Sequence, residues 1–264
     1  MTGEWALSAP VRTGASAANL DAIDAGLRGI GSSHGACEMR YPTLIARLVL
    51  ERAEYPRAFP HLLLSASRMD CAGFDESAPE SQPAQVASDW CLSPAVCYHS
   101  YAQLAGVSLA SPLTISARGT CYRAEQTTAP GVRQIEFAMR ELVFIGPAAW
   151  VDAEIERASA RLEALALRLG LRGEWRTAED PFFLPRAEGK ALMQRLLKVK
   201  REYQSLDYDG LALASVNRHG SFFGERFDIT NRSGEPVHTA CLAAGLDRWE
   251  KHAAHGVPAG EETV

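Results

Sequence analysis

The clearest hydrophobic pattern in the chain is an apolar stripe within residues 148–171. Val151, Ile155 and Ala158 begin it, and Leu162, Leu165 and Leu169 continue it at alternating spacings of four and three residues. This period predicts an amphipathic helix whose stripe packs against the rest of the protein. Weaker patterns predict helices at 19–30, 41–54, 93–104, 189–203 and 243–254.

A β-hairpin is predicted over residues 113–145. Its first strand, 113–125, is rich in Thr, Ile and Cys; its second, 134–145, carries Ile, Phe, Leu and Val; and the sequence QTTAPG lies between them. Strands are also predicted at 210–217 and 236–242, and residues 58–64 are predicted to turn into a buried strand. Strands joined by hairpins, with helices grouped elsewhere, indicate an α+β domain on an antiparallel β-sheet.

Charged side chains interrupt this apolar hairpin. Arg123 and Glu125 fall on the predicted first strand, and Arg133 and Glu141 fall on or beside the second. A buried charge without a partner is costly, so these charges either lie on a solvated face or recognise a ligand. Paired Arg and Glu on one sheet face would suit an anionic ligand with polar edges.

Composition predicts one globular domain. The chain has 264 residues, of which 47% are hydrophobic, so we expect a single domain over 1–264 with flexible ends at 1–18 and 255–264 and a surface loop at 76–85. No basic region followed by an apolar run opens the chain, and no apolar run is long enough to span a bilayer. We therefore expect a soluble, cytoplasmic protein without a membrane partner.

The charge distribution is acidic overall and basic in one place. A net charge of −5 argues against a nucleic-acid-binding surface spread over the protein. Residues 186–201 carry six Arg or Lys side chains and one acidic side chain, Glu188. This basic segment is either a solvated helix face or a docking site for a small acidic partner.

The six cysteines contain no CxxC pair. We expect them to be reduced thiols, and any metal site must gather ligands from distant parts of the chain. A single cysteine in an apolar segment is more often a small core residue than a ligand.

Three segments, in order, resemble the motifs of class II aminoacyl-tRNA synthetases. The segment containing Arg123, Glu125, Arg133, Phe137 and Glu141 resembles motif 2. The segment CLAAGLDRW, with Gly245 and Arg248, resembles motif 3, and YPTLIARLVLERAEYPRAFPHL, with Pro42, resembles the dimer-forming motif 1.

A narrower resemblance covers residues 20–252. The segments LSPAVCYHSY, MRELVFIG, SVNRHGSFFG and HTACLAAGLDRW resemble the amino acid:[carrier protein] ligases, which are truncated relatives of the atypical, zinc-dependent seryl-tRNA synthetases. We expect no tRNA-binding arm before motif 1. Departures occur at Ala243, Asp247 and Arg218, where the family usually has Gly, Glu and Tyr, and they bear on substrate preference.

The resemblance implies an ATP site. Arg123 would clamp the α-phosphate and the amino-acid carboxylate, Glu125 would accept from the adenine amino group, and Phe137 would stack on adenine. Arg133 and Arg248 would hold the outer phosphates, with Mg²⁺ accompanying ATP. Arg123 and Arg248 are thus the expected catalytic residues.

The resemblance also implies one zinc ion per subunit, held by Cys97, Glu141 and Cys241. Three protein ligands leave a fourth position for the substrate's α-amino group. Cys91 is an alternative to Cys97 as the first ligand, and Asn217 would line the amino-acid pocket.

The implied function is ATP-dependent activation of glycine or alanine as an aminoacyl-adenylate. The aminoacyl group would then pass to the phosphopantetheine thiol of a small carrier protein, docked on the basic helix 189–203. The resemblance further implies a homodimer formed through motif 1 and no tRNA partner. The alternatives are a seryl-type aminoacyl-tRNA synthetase and a non-catalytic synthetase paralogue with a regulatory or binding role.

Overall fold

A computed structural model describes residues 9–72, 77, 83–178, 180 and 199–253. The strands of this part are β1 (Cys37–Met39), β2 (Leu44–Ala46), β3 (Ser65–Asp70), β4 (Ala84–Leu92), β5 (Ser108–Leu109), β6 (Leu113–Tyr122), β7 (Glu136–Gly146), β8 (Gly173–Thr177), β9 (Lys200–Ser205), β10 (Ala212–Gly220), β11 (Thr230–Asn231) and β12 (His238–Gly245). The α-helices are α1 (Gly14–Ser33), α2 (Arg47–Arg52), α3 (Tyr55–Ala58), α4 (Cys97–Gln103), α5 (Ala148–Arg168), α6 (Phe222–Phe227) and α7 (Leu246–His252). None of the described helices is both long and apolar enough to cross a membrane.

A seven-stranded sheet organises the fold, in the order β1-β6-β7-β12-β10-β9-β8. Only the pairing of β1 with β6 is parallel, and the other neighbours run antiparallel. A second sheet, β2-β4-β3, and a short pair, β11-β5, lie outside it. The predicted α+β architecture on an antiparallel sheet is confirmed.

The two faces of the seven-stranded sheet have different roles. On β7, Leu142 and Phe144 face the core formed with α1 and α5, where Ile155 and Leu162 are also buried. The alternate residues, including Glu141, point to the opposite face, because side chains alternate along a strand. That opposite face packs against α4 and α6 and carries the charged and thiol side chains of the site.

The stripe of 148–171 is confirmed as α5, and the helix predicted at 19–30 is longer and begins at Gly14. The single helix predicted for 41–54 is wrong. Residues Leu44–Ala46 pair with β4 instead, since Ile45 lies opposite Cys91 in a buried position. Glu54 then takes a left-handed conformation at φ 58° and separates α2 from α3.

The strand after residues 58–64 is not buried as predicted: a 3₁₀ turn at Pro60–Leu62 leads into β3, whose side chains are mostly exposed. The hairpin is confirmed, but its strands end at Tyr122 and begin again at Glu136. Arg123, Glu125 and Arg133 therefore lie in the connecting loop and not on the strands.

Two helices were predicted too broadly. Ala243–Gly245 complete β12, and α7 begins only at Leu246. The helix predicted at 189–203 is wrong from Lys200 onward, because Lys200–Ser205 form β9 between β8 and β10. The remainder of that prediction, residues 189–198, lies outside the described residues.

Candidate functional site

A cleft of about 830 Å³ opens on the face of the seven-stranded sheet opposite α1 and α5. It is lined by all nine residues singled out from the sequence, which are Cys97, Arg123, Glu125, Arg133, Phe137, Glu141, Asn217, Cys241 and Arg248. Residues separated by up to 151 positions along the chain therefore share one enclosure.

Two thiols and a carboxylate meet at the floor of the cleft. Cys97 is the first residue of α4, Glu141 lies on β7, and Cys241 lies on the neighbouring strand β12. Their ligand atoms all lie within 4.8 Å of one another, and all three residues are buried. Cys91, the alternative to Cys97, is buried in a separate apolar cluster with Ile45.

The electrostatics of this group favour a bound cation. Burial, followed by the charge of Cys241, raises the pKa of Glu141 to about 8, although the backbone N–H groups of Val96 (2.8 Å) and Cys97 (3.2 Å) donate to its carboxylate. A hydrogen bond from the Cys97 thiol holds the pKa of Cys241 well below its ordinary value, and the same bond raises the pKa of Cys97.

A buried thiolate beside a buried carboxylate is an unfavourable pairing of like charges. A divalent cation that accepts sulfur and oxygen ligands would offset it. The donor set Cys, Glu, Cys fits a zinc ion with one coordination position left open.

Arginine side chains line the same cleft. The Arg123 guanidinium lies 5.2 Å from the centre of the Phe137 ring, and its Nη2 donates to the Pro94 carbonyl oxygen at 3.4 Å. The Arg123 Nε is buried and has no hydrogen-bond partner among the described residues. In the loop between β6 and β7, Arg133 pairs with Glu125 at 3.2 Å.

Arg248 reaches this group from α7. Its Nε donates to the Val132 carbonyl oxygen at 2.8 Å, and its Nη1 donates to the Ala212 carbonyl oxygen at 2.6 Å. Burial, and next the positive charge of Arg123, lower the pKa of Arg248. Guanidinium groups that repel one another in a buried cleft form a site for a multiply charged anion.

Asn217 lies beside the sulfur end of the cleft. Its side-chain amide donates to Ser215 Oγ at 3.4 Å and to Cys241 Sγ at 3.7 Å. Asn217 therefore contacts Cys241 and also lines the cleft.

Sequence reasoning missed two side chains of the site. His219 lies with Nε2 3.9 Å from Cys241 Sγ. Asp247 accepts a hydrogen bond from the backbone N–H of Ala138 at 2.6 Å and pairs with Arg12. The signal for His219 is its spacing of two from Asn217 on one strand, which places both on the same face.

Two proteins of Bradyrhizobium diazoefficiens are similar to this chain in sequence. One, named amino acid–[acyl-carrier-protein] ligase 2, is 35% identical over 224 residues, which are 80% of this chain and 66% of that protein. The other, amino acid–[acyl-carrier-protein] ligase 1, is 32% identical over 233 residues, 81% of this chain and 69% of that protein. The chain thus spans about two thirds of the length of both relatives. No family profile matches it.

The fold is similar to that of a class II aminoacyl-tRNA synthetase. The crystal structure of M. kandleri SerRS in complex with A. aeolicus tRNASec superposes with a TM-score of 0.75 at 20% sequence identity. The likeness covers 94% of this chain and 53% of the synthetase. The predicted class II synthetase-like catalytic fold is confirmed.

Proposed function

Because the chain belongs to the family of amino acid–[acyl-carrier-protein] ligases, we propose that it activates a small amino acid with ATP and transfers it to a carrier protein. The observation that carries this proposal is that one cleft contains two kinds of side chain. Arginine side chains suited to a polyphosphate line the same cleft as a group of two thiols and a carboxylate that could hold a metal ion.

The first half-reaction is adenylation. A carboxylate oxygen of the amino acid forms a bond to the α-phosphorus of ATP, and pyrophosphate leaves. The protein's task is to hold two anions together and to spread the charge that develops, which guanidinium groups do well. Arg123 fits this task because its buried Nε has no partner among the described residues.

The remaining ATP contacts follow from the same arrangement. Phe137 offers the adenine ring a flat apolar surface, and Glu125 offers its amino group an acceptor. Arg133 and Arg248 hold the outer phosphates, accompanied by Mg²⁺. Arg248 is fixed by two backbone carbonyl groups, so it is oriented before the nucleotide arrives.

The amino acid binds at the sulfur end of the cleft. A zinc ion held by Cys97, Glu141 and Cys241 would supply an open coordination position for an unprotonated α-amino group. Asn217 and Ala243 line the same cleft, and across the sheet they pair with Cys241 and Glu141. We infer glycine or alanine as the substrate.

The second half-reaction forms a thioester. The sulfur of a phosphopantetheine thiol bonds to the carbonyl carbon of the adenylate, the bond from that carbon to the phosphate oxygen breaks, and AMP leaves with the electron pair. AMP is already a good leaving group, so orientation of the thiol supplies most of the rate.

The basic segment proposed to dock the carrier falls only partly on described residues. Arg201 pairs with Glu156 at 2.8 Å and covers the Trp175 ring at 5.5 Å, while Lys200 is buried and pairs with Asp180 at 2.7 Å. These two residues support the sheet rather than an acidic partner. Docking on the basic segment therefore concerns residues 189–198.

Mass spectrometry of the acceptor tests the proposal. The zinc-replete protein is incubated with Mg-ATP, glycine or alanine, and an acyl carrier protein that carries phosphopantetheine. We expect the mass of that carrier to rise by one aminoacyl group, and hydroxylamine to remove it as it cleaves a thioester. The matched control is the same carrier without its phosphopantetheine arm.

Each alternative has its own result in this assay. Attachment of serine to its tRNA, without any transfer to the carrier, would identify a tRNA synthetase. Absence of product on either acceptor, without adenylate formation from any amino acid, would indicate a non-catalytic paralogue. An Arg123→Gln variant separates enzyme-catalysed transfer from chemical background, since it should lose activity about 100-fold or more.

A further inference from the structure

The sulfur of Cys241 has polar neighbours on the next strand. Asn217 and His219 both lie on β10, two residues apart and on the same face. The Asn217 amide is 3.7 Å from Cys241 Sγ, and His219 Nε2 is 3.9 Å from it. Both distances are within the range of hydrogen bonds to sulfur. Neither side chain belongs to the Cys97, Glu141, Cys241 donor group itself.

The imidazole ring of His219 is fixed by its surroundings. It lies edge-on to the Phe223 ring with their centres 4.8 Å apart, and Phe223 stacks in turn on the buried Tyr101 at 4.1 Å. Packing on this aromatic group leaves the ring little freedom to turn, because interiors are close-packed.

The hydroxyl groups around His219 determine which ring nitrogen carries the proton. His219 Nδ1 is 3.1 Å from Thr239 Oγ1 and 3.4 Å from the Tyr101 hydroxyl. When Nδ1 accepts from one of these hydroxyl groups, the proton of the neutral ring is on Nε2, which faces the sulfur. His219 is then a donor to Cys241.

We propose that His219 is a positioning residue for the metal-binding group and that it donates a hydrogen bond to the Cys241 thiolate. This inference rests on the zinc site of the proposed function. A hydrogen bond to a ligand sulfur fixes the direction of its lone pairs and offsets part of its charge. Contacts of this kind beyond the ligands themselves typically change metal affinity about 10- to 100-fold.

The variants can separate the donated proton from the packing. His219→Phe retains an aromatic ring against Phe223 and removes the donor. His219→Gln restores an N–H donor at a similar distance along the side chain. Thr239→Val removes the hydroxyl that orients the ring, with almost no change in volume. His238→Gln is the control, since it replaces another histidine close to Cys241 in sequence.

Zinc affinity is the readout, measured by titrating metal-free protein against a chromophoric chelator at fixed pH. We expect His219→Phe to bind Zn²⁺ about 10- to 100-fold more weakly than the unmodified protein. His219→Gln should recover most of that loss, Thr239→Val should show a smaller loss, and His238→Gln should show none. In the cobalt-loaded protein, the thiolate-to-metal absorption band should shift in His219→Phe and should not shift in His219→Gln.

The possible failures are distinguishable. If the unmodified protein binds Zn²⁺ tightly and His219→Phe binds it equally well, the role of His219 is overturned while the proposed function stands. If the unmodified protein does not bind Zn²⁺, the role of His219 and the zinc site of the proposed function are both wrong. If His219→Phe does not fold, the double variant Tyr101→Phe, Thr239→Val decides the matter, because it removes both hydroxyl groups near Nδ1. Unchanged affinity in the folded double variant overturns the proposal, and weakened affinity supports it.

Discussion

Glu141 and His34 are individual residues with buried side chains that titrate, and burial raises the pKa of Glu141 but lowers that of His34. Glu141 shares its site with two thiols, and burial raises its pKa to about 8. His34 lies on the opposite side of the sheet, where its Nδ1 is 2.5 Å from Glu154 Oε2 and its ring contacts Phe144 edge-on. Both have hydrogen-bond partners, but the buried thiols beside Glu141 form a group that could hold a metal ion, whereas the partner of His34 is a single carboxylate.

His34 should remain neutral in the folded protein. Its side chain is 2% exposed, and its Nε2 is buried without a partner among the described residues. Protonating Nε2 would bury an unpaired N–H group. The negative charge of Glu154 favours the protonated ring, but Arg157 also pairs with Glu154 and offsets that charge. Burial first, and then Arg157 and Arg161, lower the pKa of His34 to about 4.

A pH dependence of stability follows from this shift. The unfolded chain takes up the proton near the ordinary pKa of 6.5 and the folded protein only near 4. The free energy of unfolding should therefore fall as the pH drops from about 6.5 toward 4. Urea unfolding over this range should show a shallower fall in His34→Asn, which keeps a donor for Glu154 but does not titrate. Equal pH dependence of both proteins would contradict this account.

Among the structural elements, the loop between β6 and β7 depends most on a neighbour. The Lys251 ammonium on α7 donates to the Pro130 carbonyl oxygen at 2.6 Å, and Arg248 donates to that of Val132. Between these residues, Gly131 has φ 70°, and a Cβ there would lie 2.5 Å from Lys251 Cδ. The loop that carries Glu125 and Arg133 is therefore held against α7 at a position that requires glycine.

Gly131→Ala should weaken use of ATP more than it weakens the fold. The left-handed conformation alone costs about 1–2 kcal/mol with a side chain, and the contact with Lys251 should displace the loop. We expect at least a tenfold rise in the KM for ATP in pyrophosphate exchange, since misplaced binding groups lose much of their effect. Gly35→Ala is the matched control, because its φ is 64° but no atom lies within 4 Å of the added Cβ. A KM equal in both variants would contradict the role of the loop.

The elements that the sequence predicted well are those with a local pattern. The stripe of α5 and the β-branched and apolar residues of β6 and β7 mark those elements from their own sequence. Residues 41–54 read as a helix because Leu44–Ala46 are apolar, and their strand conformation depends on pairing with distant β4. Lys200–Tyr203 also fall within the predicted helix, although they form part of β9 and their conformation is set by pairing with β8 and β10.

The sequence pointed to residues that line the cleft, but not to the residues that hydrogen-bond to them. Arg123, Glu141 and Cys241 could be identified by motif, and the cleft brings them together. Arg12 acts through a partner 235 positions away, so no local pattern marks it, and His219 is marked only by its spacing of two from Asn217. Arg123, Glu125 and Arg133 were assigned to strands because the alternation continues past Tyr122, although ladder pairing stops there.

At the scale of the whole molecule, apolar side chains are exposed around the small sheet and α2. Leu48 is 72% exposed, Met69 61% and Trp90 50%. Trp90 lies opposite Ala46, two residues from the exposed Leu44, so Trp90 and Leu44 share a face. Residues 41–62 include the segment that resembles motif 1. We propose that this surface joins two copies of the chain, because apolar clusters of this kind mark interfaces.

A single charge placed in this surface should separate the copies. Leu48→Glu introduces a carboxylate that would be buried without a partner in a dimer, while costing the monomer little because Leu48 is exposed. Analytical ultracentrifugation should show a dimer for the unmodified protein and a shift toward monomer for the variant. Leu167→Glu, at an equally exposed leucine on α5, is the control and should remain dimeric. A monomeric unmodified protein would contradict the proposed interface.

The central claim is that one cleft joins an ATP site to a metal site that selects an amino acid. Amino-acid-dependent ATP–pyrophosphate exchange tests it most directly, with zinc-replete protein, protein stripped by a chelator, and stripped protein given Zn²⁺ again. We predict exchange with glycine or alanine that is lost on stripping and regained with Zn²⁺. Exchange that is unaffected by removing the metal, or absent with every amino acid in the zinc-replete protein, would contradict the claim.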